Sequence, residues 1–324
     1  MRKNRLLAVL FSAVLLLCPL PLLREPPPNT PSASVPTAVS EPDLPEQFRI
    51  FDPGTDKTVV LSAQDYIRGV VAAEMPALYE PEALKAQAVA AYTFACRRKE
   101  MTEKKYDLST DHTVDQSYQT DEQLRVRWGD DADLYLKKIN DAVAAVAGEL
   151  VTYNGSPALT VYHSVSSGKT ESAEDVWGTA LPYLVSVDST CDRDAKGYET
   201  KVNVTEAQAR ESLNKLCKLS GNPSEWFGKP TRTAGGAVAA ISVCGTELTG
   251  NRLRETFGLR SANFSVSCTA DGLCFTVHGY GHGVGMSQNG ANELAKQGKS
   301  YRDILLHYYP GCTVTAPEND AAFS

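Results

Sequence analysis

Small and hydrophobic residues recur with helical spacing in the part of the chain that follows residue 60. Ser62 can cap a helix from Ala63 to Met75, and Pro76 ends it. A second helix begins after Pro81 and continues to about Arg98, with a stripe of leucine and alanine that suits close packing. Because only a short connection joins these two segments, the pattern predicts a helical hairpin.

The spacing changes near residue 148, where short runs of β-branched and aromatic residues begin. Before this point a third helix is predicted from Asp130 to Ala147, with Gly148 as its stop signal. The predicted strands are Leu150–Tyr153, Leu159–His163, Tyr183–Val187, Ala237–Val243, Phe264–Cys268 and Leu273–Val277. Further helices are predicted at Thr205–Cys217, Thr249–Phe257, Met286–Gln297 and Tyr301–Tyr308. We therefore predict an α+β fold in which the helical hairpin packs on a mixed, mainly antiparallel β-rich region.

The N-terminal segment has the composition of a membrane anchor. Three basic residues in the first five precede an apolar run from Leu6 to Leu23, which is about long enough to span a bilayer. A cleaved signal peptide is the alternative, although no small-residue cleavage site follows the run. We predict a transmembrane helix in residues 1–24, a Pro/Ser/Thr-rich tether in 25–47, a folded domain in 48–314 and a tail in 315–324. The domain would then lie outside the cytoplasm.

Charge and cysteine content narrow the classes of function. The net charge is −7 and no basic block follows the N-terminus, so nucleic acid is excluded as a partner. Seven of the eight cysteines lie outside the predicted anchor, and Cys268 and Cys274 are the pair closest in sequence. Sequence alone leaves their pairing open. No C-x-x-C motif occurs, which argues against a zinc ribbon.

Two segments resemble nucleotide or metal motifs only in part. "SSGKT" at 166–170 lacks the first glycine of a phosphate loop, and the glycines of 279–285 have the wrong spacing for a dinucleotide site. His278 and His282 are four residues apart, but the glycines between them disfavour the helix that would direct both to one zinc ion. A zinc hydrolase stays an alternative if His163 or a distant carboxylate contributes.

Glu74 is the strongest candidate for acid–base chemistry. It ends an apolar helix, and the residues four positions away on either side are Val70 and Leu78, so it lacks a basic partner along the helix. An apolar environment raises the pKa of a carboxyl group, as a general acid for glycosidic cleavage requires at neutral pH. The alternative is a glutamate at a helix end that simply points to solvent.

A polar turn follows the strand that ends at His163. It contains Ser164, Ser167 and Gly168, and Trp177 follows shortly after. Hydroxyl groups, an imidazole and an aromatic ring suit a polar polymer such as a glycan, whose hydroxyls form hydrogen bonds and whose sugar faces stack on rings. A turn that satisfies its own polar groups is an equal alternative on these residues alone.

Three blocks taken together resemble one protein family. The first block, in 69–96, contains G-V-V-A-A-E-M-P and E-A-L-K-A-Q-A-V-A-A. The second, in 162–187, contains Y-H-S, S-S-G, T-E, A-E-D-V-W and P-Y-L. The third, in 279–311, contains G-x-G-H-G-V-G-M-S-Q-x-G-A and Y-x-x-I-L-x-H-Y-Y-P-G. In this order they resemble the stage II sporulation protein D family, the engulfment lytic transglycosylases of spore-forming bacteria. The resemblance covers about residues 50–314.

The resemblance implies an activity and a set of site residues. It implies cleavage of the MurNAc–GlcNAc bond of peptidoglycan, preferably in strands stripped of stem peptides, with Glu74 in the family's A-E-M-P motif as the catalytic residue. We expect no cofactor. The expected substrate-binding residues are His163, Ser164, Ser167, Gly168, Trp177, His282 and Gln288. The glycines of 279–285 would let the backbone pass close to the glycan. The expected location is the mother-cell membrane, and the expected partners are glycan strands, a cell-wall amidase and the membrane scaffold of the engulfment machine.

Two departures from the family pattern change these expectations. The family has a basic residue where this chain has Tyr92, so its contact would be lost or transferred to Arg97 or Arg98. Some members carry a His and Cys cluster for zinc after this helix, whereas here only His112 is left and we predict no zinc. A catalytically weak glycan-binding protein that enhances a partner amidase is an alternative, and a zinc amidase is another.

Overall fold

The computed structural model describes residues 45–111 and 113–316. Outside the described residues lie the predicted anchor in 1–24, nearly all of the tether, most of the tail and His112. Within those ranges, no helix combines the length and the apolar composition needed to cross a bilayer. The predicted domain boundaries, including the catalytic domain in 48–314, stay predictions.

The fold is mixed α+β, with helices and strands interleaved along the chain. The helices are α1 (Ala63–Glu74), α2 (Pro81–Met101), α3 (Asp121–Trp128), α4 (Ala132–Ala144), α5 (Ala173–Trp177), α6 (Glu206–Leu213), α7 (Gly250–Phe257), α8 (Gln288–Lys296) and α9 (Tyr301–Tyr308). Short 3-10 turns occupy Gly129–Asp131, Thr190–Asp194 and Pro223–Glu225.

The strands form several small sheets. They are β1 (Gln47–Asp52), β2 (Lys57–Ser62), β3 (Leu108–Ser109), β4 (Leu150–Tyr153), β5 (Ser156–Pro157), β6 (Tyr162–His163), β7 (Glu199–Thr205), β8 (Thr231–Arg232), β9 (Val238–Val243), β10 (Thr246–Leu248), β11 (Phe264–Thr269), β12 (Gly272–His278), β13 (Met286–Ser287) and β14 (Thr313–Thr315). The sheets have the strand orders β2-β1-β3, β14-β4-β5, β13-β6, β11-β12-β7 and β10-β9-β8. Pairing is antiparallel except between β1 and β3 and between β6 and β13, which confirms a mixed, mainly antiparallel arrangement.

Two hydrophobic cores divide the described chain. The first takes buried residues from Phe48 to Leu184 and again from Val284 to Cys312. The second takes buried residues between Ala209 and Val277. We call residues 199–278 the inserted lobe and the rest of the described chain the main lobe. The chain enters the inserted lobe on β7 and leaves it on β12, and these two strands pair with each other.

The predicted helical hairpin is confirmed as α1 and α2. The Ser62 hydroxyl accepts a hydrogen bond from the Asp65 N–H and caps α1, while Met75 adopts an extended conformation and ends it. Pro81 starts α2, whose alanine-rich stretch is buried from Ala86 to Ala91. Small side chains there let α1, α4, α8 and α9 all pack against α2. Glu74 is thereby fixed at the end of α1 against the centre of the main lobe.

Several predicted elements differ from the structure. The helix predicted over 130–147 begins with a 3-10 turn, and the preceding helix α3 carries a capping box at Thr120 that the pattern did not reveal. The strand predicted at 183–187 is wrong. The Tyr183 hydroxyl accepts a hydrogen bond from the Leu159 N–H, and this tertiary contact outweighs the local β propensity. The thiols of the described residues are free, and Cys268 and Cys274 face different partners, Leu273 and Ser267, across the β11–β12 pair.

Candidate active site

Glu74, at the end of α1, is contacted by two segments that are distant in sequence. Its Oε1 atom accepts a hydrogen bond of 2.8 Å from the Ser117 N–H, and the Gln288 side chain also bonds to the carboxyl group. Burial raises the pKa of Glu74 from 4.5 to about 7, and the bonds from Ser117 and Gln288 only partly oppose this rise. The residue as a whole is half-buried and keeps part of its surface exposed. A carboxyl group in this state exchanges its proton near neutral pH.

A polar network holds the loop that carries Ser117. The Arg98 guanidinium forms a buried ion pair with Asp115, whose Oδ2 atom also accepts a hydrogen bond from the Ser109 N–H at 2.8 Å. The next residue, Gln116, donates to the Tyr66 hydroxyl at 3.3 Å and accepts from the Tyr162 hydroxyl at 2.8 Å. These contacts place the Ser117 N–H opposite Glu74.

Gln288 reaches the site from the start of α8. Ser287 caps this helix and lies opposite His163 in the parallel β6–β13 pair. The Asn289 N–H donates to the Ser164 carbonyl at 3.0 Å. The structure therefore brings His163 and Ser164 next to the start of α8, whose Gln288 contacts Glu74, although these residues come from distant segments of the chain.

The imidazole rings of His163 and His282 are neutral, and both form hydrogen bonds to the backbone. His282 donates from Nε2 to the Tyr162 carbonyl at 3.0 Å and accepts at Nδ1 from the Val284 N–H at 3.1 Å. His163 donates from Nδ1 to the Val284 carbonyl at 3.1 Å, and its Nε2 atom has no partner within the described residues. Burial lowers the pKa of His163 to about 4 and that of His282 well below 6.5. Neither group can act as the acid at neutral pH.

Trp177 lies against the ring of His282, with 5.3 Å between the ring centroids. Both nitrogens of His282 are already bonded to the backbone and the residue is buried, so neither nitrogen is free for the hydrogen bond to a ligand that the sequence suggested. A ring surface suits the apolar face of a sugar. Trp177 is half-buried and supplies such a ring surface, and both Trp177 and His282 stay predicted substrate residues.

The glycine-rich segment allows two stretches of backbone to pack tightly. Its four alternate glycines have φ values of +80°, +113°, +83° and +72°, which favour glycine over other residues. A Cβ atom at Gly281 would lie 2.7 Å from His163 Cβ, and one at Gly285 would lie 2.0 Å from the Val161 carbonyl oxygen. These glycines therefore admit the neighbouring chain segment 161–171, in place of the glycan that the sequence suggested.

Ser167 and Gly168 face the junction of the two lobes. The Ser167 hydroxyl donates to the Gly235 carbonyl at 3.1 Å, and its own carbonyl accepts from the Tyr198 hydroxyl at 3.0 Å. Gly168 has a φ of +102° and lies close to the Arg193 guanidinium. Ser167 thereby connects this segment to the inserted lobe, and the role of both residues as substrate residues stays a prediction.

Sequence reasoning missed several residues that build the site. Ser117 and Gln116 lie in a loop without a recognisable motif. Asp192 is buried and accepts hydrogen bonds from Ser287, Asn289 and the Ser166 N–H, but nothing around it in the sequence suggested this role. Only Tyr162, next to His163 in the sequence, gave a signal: a buried tyrosine needs a partner for its hydroxyl group, and here that partner is Gln116.

The departures from the family pattern have structural counterparts. The Tyr92 hydroxyl donates to the Pro45 carbonyl at 3.2 Å, and its ring packs on Phe48. Arg97 pairs with Glu100 at 3.6 Å, while Arg98 is committed to its buried ion pair. Neither arginine contacts Glu74.

Within the described ranges, no group of three His, Cys, Asp or Glu side chains could hold a metal ion, and His112 lies outside them.

Together these features define a class of site: a partly exposed carboxyl group at a helix end, with a pKa near neutrality and polar walls. Comparison with known proteins agrees with a specific family. Residues 52–153 match the family model described as "Stage II sporulation protein".

Full-length relatives extend the match. The chain is 41% identical over 257 residues to stage II sporulation protein D of Bacillus subtilis (strain 168), covering 78% of this chain and 74% of the relative. It is 37% identical over 304 residues to stage II sporulation protein D of Bacillus amyloliquefaciens, covering 91% and 87%. The amidase enhancer of Bacillus subtilis (strain 168) is 28% identical over 304 residues, covering 77% of this chain and 40% of that protein. The chain belongs to the stage II sporulation protein D family.

Proposed function

We propose that the protein is a peptidoglycan lytic transglycosylase that acts in sporulation, with Glu74 as acid and then base. The observation that carries the proposal is the half-buried Glu74 at the end of α1, whose carboxyl group has a pKa raised to about 7. One carboxyl group with a pKa near the working pH can donate a proton in one step and accept one in the next. Family membership supports the cell-wall substrate.

The reaction follows from the position of Glu74. In its protonated form it donates the proton to the glycosidic oxygen between MurNAc and GlcNAc, and the bond to the anomeric carbon of MurNAc breaks. The resulting carboxylate then accepts the proton of the MurNAc C6 hydroxyl, whose oxygen bonds to that anomeric carbon. The products are a 1,6-anhydroMurNAc end and a free GlcNAc hydroxyl. No water is consumed, and no second carboxylate is needed.

The surroundings of Glu74 suit both steps. Burial favours the protonated acid before cleavage, and the Ser117 N–H stabilises the carboxylate formed after it. Gln288 contributes a second bond to the charged form. His163 and His282 stay neutral, so they add no charge that would hold Glu74 ionised.

The test is mass spectrometry of the products formed from amidase-treated peptidoglycan by residues 48–324 and by the Glu74→Gln variant. AnhydroMurNAc ends from the unmodified protein, and none from the variant, are expected. Cleavage that persists in the variant would exclude Glu74 as the acid. Reducing ends would instead indicate hydrolysis with a second carboxylate.

A second candidate is a glycan-binding protein that enhances a cell-wall amidase. Its support is the similarity to a relative named amidase enhancer. It predicts tight glycan binding without products, and an increase in the rate of a partner amidase that the Glu74→Gln variant retains. A loss of that increase in the variant would favour the enzyme.

We further propose a single-pass anchor in residues 1–24 that holds the catalytic domain outside the cytoplasm, on the mother-cell membrane. The apolar run between Leu6 and Leu23 supports it. The proposed partners are glycan strands, a cell-wall amidase and a membrane scaffold of the engulfment machine. Fractionation of cells producing the full chain, followed by protease treatment of intact protoplasts, tests the anchor and its orientation. A protein found in the soluble fraction would indicate a cleaved signal instead.

A further inference from the structure

A cavity of about 200 Å³ lies where the main lobe meets the inserted lobe. The reaction proposed at Glu74 does not use it, and Glu74 is not part of its wall. The main lobe contributes Ser167, Asp175 and His282, and the inserted lobe contributes Asn251, Asn263 and His278. Because both lobes supply wall residues, the cavity exists only when they are packed together.

His282 joins this cavity to the candidate active site. His282 belongs to the cavity wall, and its ring centroid lies 5.3 Å from that of Trp177 and 5.8 Å from that of His163. His163 in turn is paired with Ser287, the residue before Gln288. A polymer that lies beside Gln288 and stacks on Trp177 would therefore reach the cavity with a neighbouring unit.

The wall has the chemistry of a site for a neutral polar ring. Amide, hydroxyl and imidazole groups alternate with the apolar side chains Val165, Val176 and Val238. No lysine or arginine belongs to this wall in the described part of the chain, so it offers no cation for a phosphate or a carboxylate. Sugars need this mixture, because their hydroxyl and acetamido groups form hydrogen bonds while their C–H faces contact apolar atoms.

Glu171 is the buried carboxyl group of the wall. Its side chain is 4% exposed, its Oε1 atom accepts a hydrogen bond of 3.0 Å from the Ala237 N–H, and its Oε2 atom has no partner among the described residues. Burial raises the pKa of this carboxyl group, against the bonds from Thr233 and Ala237. Asp175 adds a second, exposed carboxyl group to the wall, and with no cation beside these two groups the wall disfavours an anionic ligand.

Open hydrogen-bonding groups face the cavity. The Asn251 amide has no partner within the described chain, and Asn263 uses only its Oδ1 atom, which accepts from Arg232 at 3.3 Å. The volume is below the roughly 300–1,000 Å³ of pockets that enclose drug-sized ligands, so it suits one sugar unit and not an oligosaccharide.

We propose that this cavity is an additional glycan subsite that holds one neutral sugar unit of the strand next to the stretch cleaved at Glu74. The proposal rests on the proposed function for the identity of the polymer. It gives the inserted lobe a role in substrate length preference, since a short fragment can occupy the Glu74 side alone.

The test measures binding without cleavage. In the Glu74→Gln background, isothermal titration with peptide-free glycan fragments of two to six sugars should show a step in affinity, about tenfold, at the length that first reaches the cavity. Asn251→Ala removes an open amide, and Ala239→Phe fills the cavity from its exposed edge. Both should abolish the step while leaving the affinity for the shortest fragments unchanged.

Two matched controls lie outside the wall. Asn203→Ala removes an exposed amide on β7, and Ala240→Phe adds the same bulk at the next position of β9. Both should keep the step. Affinity that rises smoothly with length in the parent protein, or a step that survives Ala239→Phe in a folded variant, overturns the proposal. A subsite confirmed in this way, in a protein that forms no anhydroMurNAc ends, would refute the enzyme and leave the glycan site intact.

Discussion

Replacing Glu74 by glutamine should stabilise the protein at alkaline pH while abolishing the proposed activity. The pKa of Glu74 rises from 4.5 to about 7 on folding. A pKa difference of one corresponds to a free energy of about 1.4 kcal/mol. Ionising Glu74 therefore costs about 3 kcal/mol more in the folded protein than in the unfolded one. Because the folded-state pKa is the higher one, the stabilising contribution is complete below pH 4.5 and is lost as pH rises through about 7.

Glutamine carries no proton to lose, so the Glu74→Gln variant escapes this loss. Its free energy of unfolding, relative to that of the unmodified protein, should rise by about 3 kcal/mol between pH 4.5 and pH 8.5. Urea unfolding of both proteins at several pH values measures the difference. Glu122→Gln, a change at an exposed position on α3, is the matched control. A difference that does not vary with pH would refute the claim that burial governs the Glu74 carboxyl group.

The remaining predictions concern the supports of the site. The kcat/KM for glycan cleavage should fall as pH rises through about 7, because Glu74 must hold its proton in the first step; a pH–rate profile tests this. Gln288→Leu should move that fall to higher pH, because the amide favours the charged form of Glu74. Asp115→Asn should cost about 3–5 kcal/mol in urea unfolding, because Arg98 stays buried without its ion-pair partner. Gly285→Ala should lower the melting temperature, since its Cβ would lie 2.0 Å from a backbone oxygen.

Controls for these variants are available in the same chain. Asp133→Asn breaks the exposed pair with Arg125 and should cost no more than about 1 kcal/mol. Gly245→Ala also places alanine at a positive φ but has open space around it, so it isolates the backbone strain from the overlap. Equal losses in the two glycine variants would contradict the tight-packing explanation. A fall in kcat/KM that stays at the same pH in Gln288→Leu would contradict the contact with Glu74.

Local signals made the helical hairpin and Glu74 predictable. Ser62, Pro76 and Pro81 are caps and breaks that act within a few residues, and the apolar surroundings of Glu74 come from its own helix. The predicted helix from Tyr301 to Tyr308 is confirmed for the same reason: Ser300 caps it and its apolar face is periodic.

The enclosure of Glu74 depends on contacts between distant segments. Ser117 is 43 positions away, and it is positioned by an ion pair that no local pattern distinguishes from a surface pair. The partial separation of the inserted lobe was also hidden, because β7 alternates polar and half-buried residues without a strong apolar run. The glycines of 279–285 were recognised, but sequence could not show whether a ligand or another part of the chain would approach them.

The pairing of β7 with β12 has a consequence for the order of folding. The segments 161–171 and 279–287 must meet to form the site, and bringing together ends so far apart in a flexible chain has a large entropic cost. Once the inserted lobe has folded, Glu199 lies opposite His278 and the Gly279 N–H donates to the Tyr198 carbonyl at 2.8 Å. The two segments then start from adjacent points, so prior folding of the inserted lobe lowers the entropic cost of closing the chain around Glu74.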